Sequence, residues 1–398
     1  MSRAAAVIWS AIAEPLDEQA EWLVETLGAS AALAWVRRAA TDPVAASLEL
    51  AVPPSAADKT VAALGRWLPR LREADPDRLL ERAARVGASV LTPGEPGWPA
   101  ALESWGRHAP FALWVRGAAD LDAAWTGSLA LVGSRASTSY GDHVAGEIAA
   151  AAADRGIAVI SGGAYGIDAA AHRGALAGGG TSVAVLAGGV DRLYPAGNAA
   201  LLERLMEAGA VVSEQPPGFA PHRHRFLSRN RLIAAARATV VVEAGARSGA
   251  LSTARHALAL SRPLGAVPGP VTSASSAGCH ALLRGPDVTL IGNPRDALEL
   301  ALPIGSVAEP SETPVGLDFE TPGERQAYDA IPRRGGGADA IATAAGLAPG
   351  EALTALGRLS ARGLVERDGA LWRRVPTRRK SGESPDKSDN PLHTGGDS

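Results

Sequence analysis

One cysteine, three lysines and no long apolar run set the first limits on this chain of 398 residues. The single thiol, Cys279, excludes an internal disulfide and any CxxC zinc or redox site. It also fits a reducing compartment. The lysines are Lys59, Lys380 and Lys387. None of them closes a Gly-rich loop on Ser or Thr, so a P-loop nucleotide triphosphatase is excluded. No apolar stretch approaches the roughly 20 residues of a membrane span. An excess of one charge is missing too: 39 basic residues face 42 acidic ones, for a net charge of −3. Any affinity for nucleic acid must therefore come from a local basic surface. Arg3 followed by Ala4 to Ala13 mimics a short signal peptide. Trp9 interrupts it, however, and the apolar stripe continues through Leu16, Leu23, Val24 and Leu27. The expected location is cytoplasmic, with no membrane contact.

Apolar residues are plentiful at 46%, so a sizeable core can form, and the length implies two or three domains. Residues 1–88 read as a helical module, with helices over Ala4–Ala13, Leu16–Leu27, Ala31–Ala40, Lys59–Arg72 and Pro76–Val86. Asp17, Asp58 and Asp75 stand near three of the helix starts. From 89 to 300, short apolar runs alternate with Ala-rich helical stretches. The runs are Ser128–Val132, Ile157–Ser161, Ser182–Ala187, Val211–Ser213 and Thr239–Val242. The helices between them are His143–Asp154, Ile167–Ala177, Ala199–Ala208 and Ala250–Leu260. This βαβ series predicts an α/β domain built on a doubly wound parallel sheet. Residues 301–320 read as a linker. Residues 321–375 read as a small basic unit, with 11 Arg plus Lys against 6 Asp plus Glu from Thr321 to Lys380. Residues 376–398 read as a disordered tail.

Parallel strands all end on one edge, where the following helices begin, and helix N-termini favour anions. The turns on that edge are therefore the place to look for a site. Gly133-Ser134-Arg135 follows the first run. It suits a phosphate, through close backbone approach, a hydroxyl and a planar guanidinium fork. It equally suits a helix-capping loop with a solvated arginine. Ser161-Gly162-Gly163-Ala164-Tyr165-Gly166-Ile167-Asp168 is Gly-rich but lacks G-x-G-x-x-G, which excludes the dinucleotide fingerprint. Asp168 and His172 lie one helical turn apart. A first-turn acid is ordinary dipole chemistry, and this reading is preferred over a catalytic pair. Asn198 is placed as an N-cap after the loop Gly188–Gly197, and Ser248 as a cap after Glu243-Ala244-Gly245-Ala246-Arg247. Glu243 can act as a strand-end carboxylate or as a brace for its loop.

The interval between Glu214 and Glu243 holds no acid, but it holds Arg223, Arg225, Arg229, Arg231 and Arg237. Phe219, His222, His224 and Phe226 lie among them. Ser228 reads as an N-cap, which puts Arg229 and Arg231 in a first helical turn. Each cation there costs about 0.3–1 kcal/mol unless an anion offsets it. Arginines interleaved with rings suit single-stranded nucleic acid, and a solvated basic helix start is the plainer alternative.

Six segments in order carry a resemblance. They are Gly133-Ser134-Arg135, Ser161-Gly162-Gly163-Ala164-x-Gly166-Ile167-Asp168, Gly188-x-x-Asp191-x-x-Tyr194-Pro195-x-x-Asn198, Arg225-Phe226-x-x-Arg229-Asn230-Arg231, Val242-Glu243-Ala244-x-x-x-Ser248-Gly249 and Ala266-Val267-Pro268-Gly269. Over about 89–300 the chain resembles the DNA-processing protein A family, also called Smf. The resemblance implies a Rossmann-like domain, a SAM-like or helix-hairpin-helix-like N-terminal module and a C-terminal winged helix. It implies a homodimer that binds single-stranded DNA, needs no cofactor or metal, is not an enzyme, and loads the RecA recombinase during DNA uptake (natural transformation) or recombination. The DNA-binding residues it implies here are Gly133, Ser134, Arg135, Ser161, Gly162, Gly163, Arg173, Arg225, Phe226, Arg229, Asn230, Arg231, Ser248 and Gly249. Leu227 stands where the family commonly has proline. Gly278-Cys279-His280 departs from its usual glycine, small residue and asparagine.

The basic C-terminal unit resembles a winged helix with helices over Pro322–Ile331, Asp339–Ala345 and Pro349–Arg362. Its wing would turn at Asp368-Gly369. The last helix shows only Arg358 and Arg362 as basic residues, so contact with DNA and contact with protein both stay open. An alternative for the whole chain is a nucleotide-processing enzyme of the phosphoribohydrolase type, echoed by Glu243 before Gly245. It lacks the Pro-Gly-Gly-x-Gly-Thr loop of such enzymes. A dinucleotide-dependent oxidoreductase is disfavoured by the missing fingerprint.

Overall fold

The computed structural model describes residues 2–42, 46, 54–303, 306, 319, 321–332 and 334–375. Most of the expected linker at 301–320 and the whole of the expected tail at 376–398 lie outside the described residues. The chain divides into two compact units, Met1–Ala308 and Glu309–Ser398.

The first unit is built on nine strands: β1 (Ser89–Leu91), β2 (Leu113–Gly117), β3 (Ser128–Gly133), β4 (Ala158–Ser161), β5 (Ser182–Leu186), β6 (Ala210–Ser213), β7 (Ala238–Glu243), β8 (Leu264–Ala266) and β9 (Val288–Leu290). Their spatial order is β1-β2-β6-β5-β4-β3-β7-β8-β9. The strands from β6 through β3 to β9 are parallel, and β1 and β2 add an antiparallel edge. The fold is thus α/β and Rossmann-like. The chain winds outward from β3 to β6, then returns to place β7 on the other side of β3. That reversal makes a crevice at the carboxyl ends of β3 and β7, where ligands of open α/β sheets bind.

Alternation along the strands divides the core into two faces. Leu129, Leu131, Val159, Val240 and Val242 pack against Ala145, Ile148, Ile167 and Ala171 of the helices Ser139–Ala153 and Ile167–Ala177. Ala130, Val132, Ile160, Val185 and Val241 pack on the other face. They meet Leu232 and Ile233 of the helix Arg223–Ala234, and Ala250 and Ala254 of the helix Ala250–Ala259. Both faces are covered, which explains why the strands read as continuous apolar runs.

The N-terminal helices are Arg3–Ile12, Glu18–Leu27, Ala29–Ala39, Pro54–Glu73 and Pro76–Arg85. Asp17 and Asp75 cap two of them through their carboxylates. The helix expected from Lys59 begins earlier, at Pro54, so position 58 falls inside it rather than at its start. Trp9, Trp35 and Trp67 fill the module's core. Their indole N–H groups donate to Ala29 O, Ala46 O and the Asp17 carboxylate at 2.9–3.0 Å. A buried ring's polar atom needs such a partner. Val7 and Ala11 of the first helix pack with Ala184, Leu186 and Val211 of the sheet, so these helices share the sheet's core.

The second unit is a winged helix: helices Pro322–Asp329, Ala338–Ala345 and Pro349–Ala361, with β10 (Gly336–Gly337), β11 (Val365–Asp368) and β12 (Leu371–Arg374) in the order β10-β12-β11. Gly369 sits in the wing turn at φ 61°, a conformation a glycine accepts without strain. Ile341, Leu356, Leu359 and Trp372 form its core.

Candidate nucleic-acid interface

A cleft of about 890 Å³ opens at the switch point between β3 and β7. Gly133, Ser134 and Arg135 form one wall, and Arg247, Ser248 and Gly249 another. Arg223, Phe226, Arg229 and Asn230 come from the helix Arg223–Ala234. The walls are held by the backbone. Ser134 N donates to Glu243 O at 2.6 Å, and Ile167 N donates to Ser134 O at 3.1 Å. Gly166 sits at φ 73°, and a Cβ there would collide with Ser134 O and Arg135 O. Only glycine lets these two loops touch.

The carboxylates near the cleft are occupied. Glu243 accepts from Thr138 N at 2.9 Å, Thr138 Oγ1 at 3.0 Å and Ser275 Oγ at 2.7 Å. It braces the loops after β3 and β8, so the bracing alternative is the one realised. Asp168 accepts from Gly162 N at 3.1 Å and Ala164 N at 3.3 Å. Burial pushes its carboxyl up, opposed by the Arg229 guanidinium and those N–H groups. His172 does not pair with it. Its Nδ1 lies 2.8 Å from Ser182 Oγ, and burial pulls its pKa down to about 3, helped by the charges of Arg229 and Arg173. Asp168 and His172 thus serve separate structural ends. Burial raises the Cys279 thiol to about 11, which leaves it unreactive.

Arg135 is exposed at the mouth. Its guanidinium lies 5.0 Å over the Phe226 ring. Arg223 and Arg247 are also exposed and line the same cleft. Four arginines face one carboxylate, Asp168, among the described lining residues. The mouth is positive although the chain is not.

The rest of the arginine-rich stretch corrects the sequence reading. The helix begins at Arg223, so Ser228 is not its N-cap; Ser228 lies inside with its hydroxyl toward Arg225 O. Arg225 is buried and pairs with Glu14, with Nε at 2.8 Å and Nη2 at 2.7 Å from the carboxylate. Arg231 is 1% exposed. Its Nη1 and Nη2 reach Glu214 at 2.6 and 2.5 Å, and its Nε donates to His108 O at 2.9 Å. Arg229 donates to Gly162 O at 2.8 Å and to Val185 O. Burial lowers its pKa to about 10, so it stays charged as part of the cleft floor. The offsetting anions for Arg225 and Arg231 are therefore internal carboxylates. Neither residue faces the cleft.

Other site residues also shift. Ser161 is fully buried, with its hydroxyl on Leu131 O at 2.6 Å, so it shapes the Gly-rich loop rather than reaching a ligand. Gly162 and Gly163 of that loop are buried. Arg173 is exposed but stands outside the cleft lining. Asn198 does not cap its helix: its Nδ2 donates to Gly163 O and Ala164 O at 3.0 Å, which ties down the Gly-rich loop. Asn230 holds Gly249 O at 3.3 Å. Arg223 was visible in the sequence as part of the acid-free stretch and Arg247 only as a member of the loop after Thr239–Val242, and nothing there marked either as a cleft residue.

In the winged helix, Arg362 reaches the buried Glu324 at 3.1 Å and Arg358 lies 4.0 Å from it. Arg374 lies 4.9 Å over Tyr328. Much of this unit's positive charge is drawn onto its own surface.

Residues 89–301 match the family model for DNA recombination-mediator protein A. A putative DNA processing protein DprA of Mycobacterium tuberculosis is 49% identical over 307 residues, covering 74% of this chain and 79% of that protein. Protein Smf of Escherichia coli is 41% identical over 192 residues, 48% of this chain and 50% of that one. The crystal structure of DNA processing protein A from Streptococcus pneumoniae superposes with a TM-score of 0.54 at 31% identity, covering 59% of this chain and 81% of that one. The chain belongs to the DNA recombination-mediator protein A family.

Proposed function

We propose that this protein binds single-stranded DNA in the switch-point cleft and acts as a recombination mediator. It protects incoming or exposed strands and hands them to the RecA recombinase, as a cytoplasmic homodimer and without chemical turnover. The observation that carries this reading is the grouping of exposed Arg135, Arg223 and Arg247 around Phe226 at one sheet edge. Guanidinium groups track a phosphate backbone, and a ring face accepts a base only when that base is unstacked. A cleft of about 890 Å³ has room for nucleotides of one strand. Glu243 accepts from Thr138 and Ser275, which favours a bracing role for it over a hydrolytic one.

Fluorescence anisotropy with single- and double-stranded oligonucleotides over a salt series tests this. Tight binding of the single strand is expected, weakening steeply with salt as counterions are released. Equal affinity for duplex, or a flat salt response, would remove the reading. Release of free base from nucleoside monophosphates would replace it with the enzyme.

A further inference from the structure

Two tyrosines stand on the same edge and have no part in the site so far. Tyr165 is 48% exposed and Tyr194 is 50% exposed. Each lies in a loop that follows a parallel strand, β4 for Tyr165 and β5 for Tyr194. Exposed aromatic rings are costly to hydrate, and these two are held in place rather than left to fold inward. The Tyr165 hydroxyl accepts from Gly197 N at 3.3 Å. Its ring lies so close to Gly197 that a Cβ there would come within 3.0 Å of a ring carbon. Gly197 belongs to the loop that carries Tyr194. The Tyr194 ring is 5.8 Å from Phe226, tilted by 59°. Phe226 in turn carries Arg135. A strip therefore runs from Arg135 over Phe226 to Tyr194, and through Gly197 to Tyr165. Arg192, two residues before Tyr194, is exposed and supplies a cation on that side.

Three rings, two from loops and one from the helix Arg223–Ala234, interleaved with arginines, match what an unpaired strand offers: flat bases and a regular row of phosphates. A protein partner would be met by packed apolar side chains, but a polar tether on one ring and about half of each ring left to solvent suit stacking. We propose that Tyr194 and Tyr165 form a second base-stacking position, so that the strand leaves the cleft over the loops after β5 and β4. This rests on the single-stranded DNA reading and adds a direction to it. On the opposite side, by the loop after β8, Tyr140 is exposed and donates to Pro268 O at 2.9 Å, but among the described residues no ring contact joins it to Phe226 as Tyr194 is joined.

The test uses the full chain and a length series of fluorescent oligothymidylates, with matched strands carrying abasic sites. Tyr194→Ala and Tyr165→Ala should each lose about 5- to 10-fold in affinity, the low end for one stacked base. The loss should appear on strands long enough to leave the cleft and vanish on the shortest ones. Tyr194→Phe and Tyr165→Phe should keep affinity. Abasic strands should weaken the wild type by the same factor and the alanine variants no further. Arg135→Glu should weaken binding at every length. If the alanine variants bind every strand as the wild type does while Arg135→Glu still weakens it, the second position does not exist and the cleft reading stands. If the wild type binds no strand, both fall together.

Discussion

Arg135 and Arg231 are the same side chain serving the same sheet edge, and they do opposite work. Arg231 is enclosed, with Glu214, His108 O and Ser228 O around its fork. Arg135 is open to solvent, with only an aromatic face beneath it. One holds the helix Arg223–Ala234 in place; the other is left available. The difference teaches that a basic segment is not a basic surface. Among Arg223, Arg225, Arg229 and Arg231, only Arg223 is exposed, and of the buried three only Arg229 touches the cleft.

The strongest way to probe that contrast is Arg231→Ala. Removing it strands the Glu214 carboxylate in the interior, and breaking such a pair costs about 3–5 kcal/mol. Chemical denaturation should show a loss of that order; a change under about 1 kcal/mol would mean that Arg231 is not an internal brace. Next comes Arg135→Glu, which should leave stability within about 0.5 kcal/mol of wild type, as exposed changes do, yet abolish most oligonucleotide affinity. Arg135→Ala should lower the slope of log K against log salt by about 0.7, the value for one lost single-strand phosphate contact.

Arg225→Ala sharpens the same contrast through pH. Burial pushes the Glu14 carboxyl up, but hydrogen bonds from Arg225, His224 and Arg70 outweigh it and hold it well below its ordinary 4.5. A depressed carboxyl stabilises the fold above its unfolded value, and that stability is lost as pH falls. The stability gap between wild type and Arg225→Ala should therefore be full at neutral pH and narrow below about 4.5. A gap that stays constant down to pH 3 would show that Glu14 is not its partner. The smallest effect belongs to Arg173→Ala. Standing outside the cleft lining, it should change affinity far less than Arg135→Ala, and an equal loss would extend the interface onto the helix Ile167–Ala177.

The sequence made the parallel sheet legible because β3 to β7 are apolar runs separated by helical periods. The outer strands β1, β2, β8 and β9 escaped notice. They are short and lie among Trp, Gly and Pro residues without a clear alternation. The cleft was legible in its turns, since Gly133-Ser134-Arg135 and Ser248-Gly249 fall where strand ends must lie. The fate of the arginines was not. Arg225 finds its carboxylate 211 residues away, at Glu14. Glu214 lies just outside the acid-free interval, and its pairing with Arg231 depends on how the loop after β6 returns. Local charge counting sees neither.

The ion pair between Glu14 and Arg225 has a consequence for anyone shortening this protein. The helix that lines the cleft on one side is bolted on its other side to the turn after the first N-terminal helix. Cutting away residues 1–88 would not trim an accessory. It would leave Arg225 without its counterion, strip cover from the sheet around Ala184 and Val211, and loosen the very helix that presents Phe226. The front of the chain is foundation, and a truncated version should be judged as a damaged protein before it is judged as a poor binder.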